Sequence, residues 1–285
     1  MRYGLPYQGS KNKIAEWVIS NLPKAEHFYD LFAGGCAVTH AAMLSGKYKY
    51  FHANDICKQI PQMFLDAING KYKDEKRVIT REEFHKYKDT DPYIALCWSF
   101  GNNKKDYLWN PQTEKIKIAA CKMLAADNLQ ERRILYLQFI RTLKQELERG
   151  YNPGRLEDLQ SLQRLQRLQR LQSLQRLQSL EITGVSYDEI EILPNSVIYC
   201  DPPYKGTRNY GFEFDSDRFF QWASDVPFPV YISEYSAPVD FINIASIKKQ
   251  AQFSQKKNNQ VTENIFLHKK WKNKTIGEME SIFEI

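Results

Sequence analysis

"HFYDLFAGGCAVTHAAML", residues 27–44, decides the fold. A short apolar stretch closes on Asp30, two glycines (Gly34, Gly35) follow, and a run of small and apolar residues then takes helical spacing. A strand that passes through a glycine turn into a helix is the first half of a βα unit. "KYKYFHANDI", residues 47–56, supplies the next strand, ending in Asn54 and Asp55. Two strands joined by a helix run parallel. The opening third therefore predicts an α/β protein.

Working outward, "KNKIAEWVISNL" (residues 11–22) has helical spacing and is stopped by Pro23. Residues 57–150 are mostly helical in pattern, broken by Pro92 and by the polar stretch "FGNNKKDYLWNPQTE" (residues 100–114). Strand patterns return in "LEITGVSY" (180–187), "NSVIYC" (195–200) and "PVYISEY" (229–235), with "VTENIFLH" (261–268) as a last candidate. The pattern predicts a sheet split by a long helical insertion: residues 1–66 and 181–285 for the sheet domain, 67–180 for the insertion.

The insertion ends in a leucine at every third position from Leu156 to Leu180. Each three-residue step falls about 60° short of a full α-helical turn, so the leucines spiral round such a helix. Gln, Leu and Arg are good helix formers, and helix is the default. A 3₁₀ helix would align the leucines but is rarely sustained, and a compact leucine-rich coil is the third option. The tract is expected to be a variable spacer or packing element, with Arg164, Arg167, Arg170 and Arg176 as further candidates to meet phosphates.

The chain has 285 residues, enough for a sizeable core, and the composition of an ordinary globule. No apolar stretch reaches the roughly 20 residues that span a bilayer, and the first residues lack a signal-peptide core. A cytoplasmic protein, without membrane attachment, is expected. The five cysteines are scattered with no CxxC pair, which suits reduced thiols and implies neither disulfides nor a metal site. Net charge is +6, and eight lysines lie between Lys248 and Lys274 among aromatic residues. Such clusters suit nucleic acid, and equally a solvated surface.

Three stretches carry chemistry. In "FYDLFAGGCAV", glycines after a strand let a ligand approach the backbone, although an ordinary glycine turn reads the same way. Asp55 closes the second strand about twenty residues beyond, the spacing at which a carboxylate takes both ribose hydroxyls of an adenosine; a helix cap is the plainer reading. "IYCDPPYKG", residues 198–206, places Asp201 at the end of a buried strand, where open α/β sheets bind ligands. Pro202 and Pro203 fix the backbone and leave carbonyls as acceptors. If Asp201 and the Pro202 carbonyl each accept an N–H bond from an exocyclic amine, its nitrogen lone pair is turned toward an electrophile. Tyr204 can stack on the ring. A Pro-Pro turn is the alternative.

"YQGSK", "FYDLFAGGCAVTH", "NDI" and "VIYCDPPY", in that order, resemble the Dam-like DNA adenine N6-methyltransferases of bacteria and their phages, in the motif order of the α group. The resemblance covers roughly residues 3–65 and 182–235. It implies the Rossmann-like fold of S-adenosylmethionine-dependent methyltransferases, with a mixed, mostly parallel sheet and an inserted target-recognition region. It also implies S-adenosylmethionine as cofactor, double-stranded DNA as partner, no metal, and a setting in a bacterial cell or phage-infected host. Tyr7 and Lys11 match the motif over the methionine part of the cofactor. Asp30, Phe32, Gly34 and Gly35 match the loop around its amino acid moiety, and Asp55 the ribose contact. Tyr187, fourteen residues before Asp201, falls where the family stacks a ring on the cofactor's adenine. Asp201, Pro202 and Tyr204 are the implied catalytic residues, with Asp201 also beside the cofactor. In the insertion, Asn102 and Asn103 suit adenine edges, and Lys104 and Lys105 phosphate or guanine.

An N4-cytosine DNA methyltransferase usually has Ser for the first acid of the motif, and a release-factor glutamine methyltransferase has Asn there and lacks the insertion. An N6-adenine RNA methyltransferase shares the motif. A DNA-binding or assembly module without activity is the reading from a different class, against which the intact motif residues speak.

Overall fold

The computed structural model describes residues 3–150, 160–177, 179–204, 214–250 and 260–272. The chain divides into two compact units, one of Met1–Gly4, Lys11–Gln62 and Leu177–Ile285, the other of Leu5–Ser10 and Met63–Arg176.

The first unit is built on a seven-stranded sheet: β1 (His27–Asp30), β2 (Tyr50–Asn54), β3 (Leu180–Thr183), β4 (Ser196–Cys200), β5 (Val230–Glu234), β6 (Phe241–Gln250) and β7 (Gln260–His268), in the order β3-β2-β1-β4-β5-β7-β6. Strands β3, β2, β1, β4 and β5 pair in parallel, and β7 runs antiparallel to both β5 and β6. The chain leaves β1 toward β2 on one side and later places β4 on the other. The gap between the C-terminal ends of β1 and β4 is thus a topological switch point, where sheets of this kind take ligands.

Every residue of β4 and β5 is buried, as expected for parallel strands covered on both faces. One core cluster joins Tyr29, Leu31, Ile198, Cys200, Val230 and Ile232 of the sheet to Phe219, Phe220 and Ala223 of the helix Ser216–Asp225. That helix is capped by the Asp215 carboxylate, which accepts from the Arg218 N–H at 2.9 Å. The helix expected over residues 11–22 is shorter, Ala15–Ser20 (α1), because Lys11–Ile14 form a turn in which the Ile14 N–H donates to the Lys11 carbonyl. Strand β6 was not anticipated. It is an edge strand whose alternation is interrupted by a register shift between Asn243 and Ala245, so its sequence carries neither a clean period of two nor a continuous apolar run.

In the second unit Pro92 and Pro111 start helices rather than break them. Pro92 opens α5 (Pro92–Cys97) behind the Asp91 cap, and Pro111 opens α6 (Pro111–Ala125) behind the Asn110 cap. Before them, α2 (Ala37–Ser45) belongs to the sheet unit, α3 (Gln59–Ile68) straddles the division, and α4 (Arg81–Tyr87) starts on a Thr80–Glu83 capping box. α7 (Leu129–Glu148) and α8 (Gln160–Arg170) complete the set described here.

The leucine repeat resolves its phase problem by changing helix type. Through α8 the buried side chains are Ser161, Arg164, Leu165 and Leu168, an α-helical stripe. From Leu171 to Leu177 the chain is a 3₁₀ helix, and Leu168, Leu171 and Leu174 then stack at intervals of three, 0, 2 and 3 % exposed. Residues 151–159 and 178 of the insertion, Leu156 and Leu159 among them, lie outside the described residues. Arg164 corrects the expectation of phosphate contact at that position: its guanidinium is buried and donates to the carbonyls of Cys97 at 2.9 Å and Ser99 at 2.8 Å, at the end of α5. It caps a helix C-terminus.

Candidate active site

The sheet order brings Asp30 and Asp201 to neighbouring strand ends, since Asp30 pairs with Tyr199 two residues before Asp201. Asp30 is 2 % exposed and accepts from the Thr39 hydroxyl at 2.7 Å. Burial pushes its carboxyl up to about 7, with Asp201 and Asp55 adding to the rise against the Thr39 hydrogen bond. The Cys36 and Cys200 thiols are raised first by burial and then by the same carboxylates. The strand ends therefore gather several carboxylates, of which Asp30 is fully buried.

The glycine loop is held from three sides. Gly34 takes φ +45° and Cys36, at the N-cap of α2, φ +54°. The Gly34 N–H donates to Asp55 Oδ2 at 2.8 Å, while Asp55 Oδ1 accepts from the Cys57 N–H at 2.8 Å. Each carboxyl oxygen has a second lone pair, so the two backbone donors orient Asp55 without exhausting it. Asn54, 2 % exposed, donates to the carbonyls of Leu31 and Val185 and accepts from the Thr183 hydroxyl and the Val185 N–H. It ties the ends of β1, β2 and β3 together. Below the loop, Gly4 lies so close that a Cβ there would come within 2.3 Å of the Gly35 carbonyl oxygen.

Beside the loop, Phe32 and Tyr187 face each other with ring centroids 5.5 Å apart, in an aromatic wall completed by Phe214, Phe219 and Trp222. Both are partly buried.

The loop after β4 is set by a lysine. Lys11 Nζ lies 2.6 Å from Asp201 Oδ1, 2.7 Å from the Tyr204 hydroxyl and 3.3 Å from Glu263 Oε1. It also lies 4.7 Å from the centre of the Tyr204 ring. Burial works to lower the Lys11 pKa, but Asp201 and Glu263 more than offset it and the group ends above the ordinary lysine value. The Tyr204 hydroxyl donates to Glu263, and its ring meets Tyr235 edge-on at 4.6 Å. Pro202 is buried. Glu234, at the end of β5, is pushed up to about 7, chiefly by burial.

Lys11, Asp30, Phe32, Gly34, Gly35, Asp55, Tyr187, Asp201, Pro202 and Tyr204 all belong to the sheet unit. Tyr7 belongs to the helical unit, where Lys104 Nζ lies over its ring at 5.6 Å. Of the other loop candidates, Asn102 donates inward to the Leu96 carbonyl at 2.7 Å. Asn103 accepts from the Lys105 and Asp106 N–H groups and donates to the Asp106 carboxylate, which shapes the loop, and Lys105 is exposed. Sequence reasoning missed Glu263, Glu234, Asn54 and Thr39. The available signal for Glu263 was a charged residue in phase with Ile265 and Leu267 in "VTENIFLH", hence on their face of the strand.

A cationic ligand suits this donor set. Asp30 and Asp201 stand at neighbouring strand ends with Asp55 near them, Lys11 pairs with Asp201, and burial, with Asp201 and Asp55 adding to it, holds the Asp30 carboxyl up at about 7. No group of three or more ligating side chains suited to a metal ion occurs among the described residues, and none of the described helices is long and apolar enough to cross a membrane.

A family model described as D12 class N6 adenine-specific DNA methyltransferase matches residues 7–275. No curated protein matches the sequence significantly. Among solved structures, the rRNA methyltransferase AviRa from Streptomyces viridochromogenes aligns over 97 % of this chain and 89 % of its own, at 10 % identity and a TM-score of 0.39. A likeness that slight bears on neither fold nor substrate.

Proposed function

The chain belongs to the D12 class N6 adenine-specific DNA methyltransferases, and from that premise we propose how its own residues carry the reaction. The family acts on adenine in DNA and implies S-adenosylmethionine as the methyl donor. Asp55 would take the ribose hydroxyls of that donor, Tyr187 would flank its adenine, and Asp30 and Phe32 with the Gly34–Gly35 loop would receive its amino acid end. When bound, S-adenosylmethionine supplies an electrophilic methyl whose carbon–sulfur bond breaks with the electron pair left on sulfur.

The target adenine enters flipped from the duplex. Asp201 and the Pro202 carbonyl each accept one N–H of its amine, which holds the nitrogen lone pair toward the methyl. Asp201 takes the proton that the methylated amine sheds. Lys11 fixes the Asp201 carboxylate, and Tyr204 offers its ring to the base. The acceleration comes from positioning and fixed charges rather than from an enzyme-bound intermediate. In the insertion, residues 100–110 and the exposed Lys105 are assigned to target recognition.

One observation carries this reading: the DPPY carboxylate stands at the switch point of the sheet, beside the strand that ends in Asp30, on a buried lysine from the N-terminal motif. The test is transfer of labelled methyl to methyl-free duplex DNA, followed by digestion to nucleosides, with D201A alongside. N6-methyladenine from wild type, and a loss of at least about 100-fold in D201A at saturating cofactor, is expected. Undiminished turnover by D201A removes the assignment of Asp201, and label entering RNA alone moves the substrate.

A further inference from the structure

Glu263 lies outside every motif that marks the site, yet it is 0 % exposed and sits against the site's lysine. Its Oε1 is 3.3 Å from Lys11 Nζ and accepts the Tyr204 hydroxyl, while the same ammonium makes its 2.6 Å contact to Asp201. One cation is therefore shared by two carboxylates. One of them is anchored in β7 and the other stands on the loop after β4. A lysine held by Asp201 alone would form a closed pair and withdraw charge from the oxygens that must accept the adenine amine. A second carboxylate divides its field and fixes its place.

We propose that Glu263 is a positioning residue for methyl transfer: by sharing Lys11, it keeps Asp201 a strong acceptor for the proton of the adenine amine. This rests on the role given to Asp201 above. The proton balance is simple: one N–H bond of the amine breaks as the new N–C bond forms, its proton passes to Asp201, and from there to water. Glu263 touches none of the reacting atoms. It acts through Lys11.

The test compares wild type, E263Q, E263D, K11M, K11M/E263Q and D201A for kcat on duplex DNA, its pH profile, cofactor affinity by calorimetric titration, and thermal unfolding. E263Q keeps the shape and the acceptor but loses the charge. It is expected to lower kcat by roughly 10- to 100-fold with cofactor affinity within about twofold of wild type. The acid limb of its kcat profile moves to lower pH, because Lys11 then faces Asp201 alone and favours its ionised form. E263D restores kcat to within about threefold of wild type, since the charge returns. In the K11M background E263Q adds nothing, because the residue through which it acts is absent.

Wild-type kcat in E263Q, or a loss explained wholly by weaker cofactor binding, overturns the proposal. Should E263Q not fold, the double variant K11M/E263Q, which removes the buried cation and one buried anion together, is compared with K11M; a further tenfold drop from K11M to K11M/E263Q overturns the proposal. Activity in D201A overturns the Asp201 assignment and this inference with it. An inactive D201A beside an unimpaired E263Q overturns this inference alone.

Discussion

Asp30 keeps its proton to about pH 7 in the folded chain, against an ordinary value of 3.8. The folded state therefore binds that proton more tightly than the unfolded chain. The resulting stabilisation is complete below about pH 4 and is lost as the pH rises through about 7. Glu234, raised to about 7 from 4.5, acts in the same direction over nearly the same window. The cofactor-free protein should accordingly melt at a higher temperature at pH 6 than at pH 8. Asp30→Asn keeps an acceptor for Thr39 but cannot ionise, and should raise the melting temperature at pH 8 and shrink the difference between the two. An unchanged difference in thermal melts would rule out Asp30 as its source. Gly4 sets the other residue-scale constraint. With φ +62° and backbone atoms of Gly35 and Ala37 within 2.7 Å of where a Cβ would stand, Gly4→Ala should cost more than about 2 kcal/mol. It should also weaken cofactor binding by displacing the glycine loop, measured by denaturant titration and by calorimetry. Asp201 and Asp55 were legible because each closes a strand inside a short local motif. Glu263 was not, because it meets Lys11 across almost the whole chain, and no local pattern reports such a pairing.

At the scale of elements, the same distinction separates β1, β2, β4 and β5 from β6 and the leucine tract. The buried parallel strands announce themselves as apolar runs between turn residues. The edge strand β6 has only one neighbour, and its shift between Asn243 and Ala245 erases the period. The leucine tract was legible as helix but not in its type: a repeat of three fits one α-helical face badly, and the chain answers with an α-helix that becomes 3₁₀. A 3₁₀ helix has three residues per turn. One Leu-Gln-Arg unit added between Leu171 and Leu174 thus lengthens it by a turn and leaves the leucine stripe in phase, whereas one added residue rotates everything beyond it by about 120°. The triplet insertion should melt within about 4 °C of wild type, a shift of about 1 kcal/mol or less. The single-residue insertion should approach Leu168→Ala, which empties a fully buried position and costs about 2–5 kcal/mol. Circular dichroism melts compare the three. Equal loss from both insertions would show that the tract does not tolerate length change by whole turns.

For the molecule as a whole, the resemblance in the sequence marked two segments of one sheet separated by a helical insertion, and the chain divides into a sheet unit and a helical unit with their own buried residues. Phe28, Ile198 and Phe219 lie in the first, and Phe84, Trp98 and Leu168 in the second. What no sequence pattern indicated is that Leu5–Ser10 joins the helical unit while Lys11 joins the sheet, because a six-residue segment has no periodicity to assign it. Two cores of this kind need not unfold in a single step. Scanning calorimetry should resolve two transitions, the more so because every residue proposed to hold the cofactor, apart from Tyr7, lies in one unit. Cofactor at 100 times its dissociation constant should stabilise that unit by about 2.7 kcal/mol and move its transition alone. Duplex DNA without cofactor should move the other, if residues 100–110 carry recognition. A single transition raised equally by either ligand would mean that the two cores unfold as one, and that binding at either site reports on the entire chain.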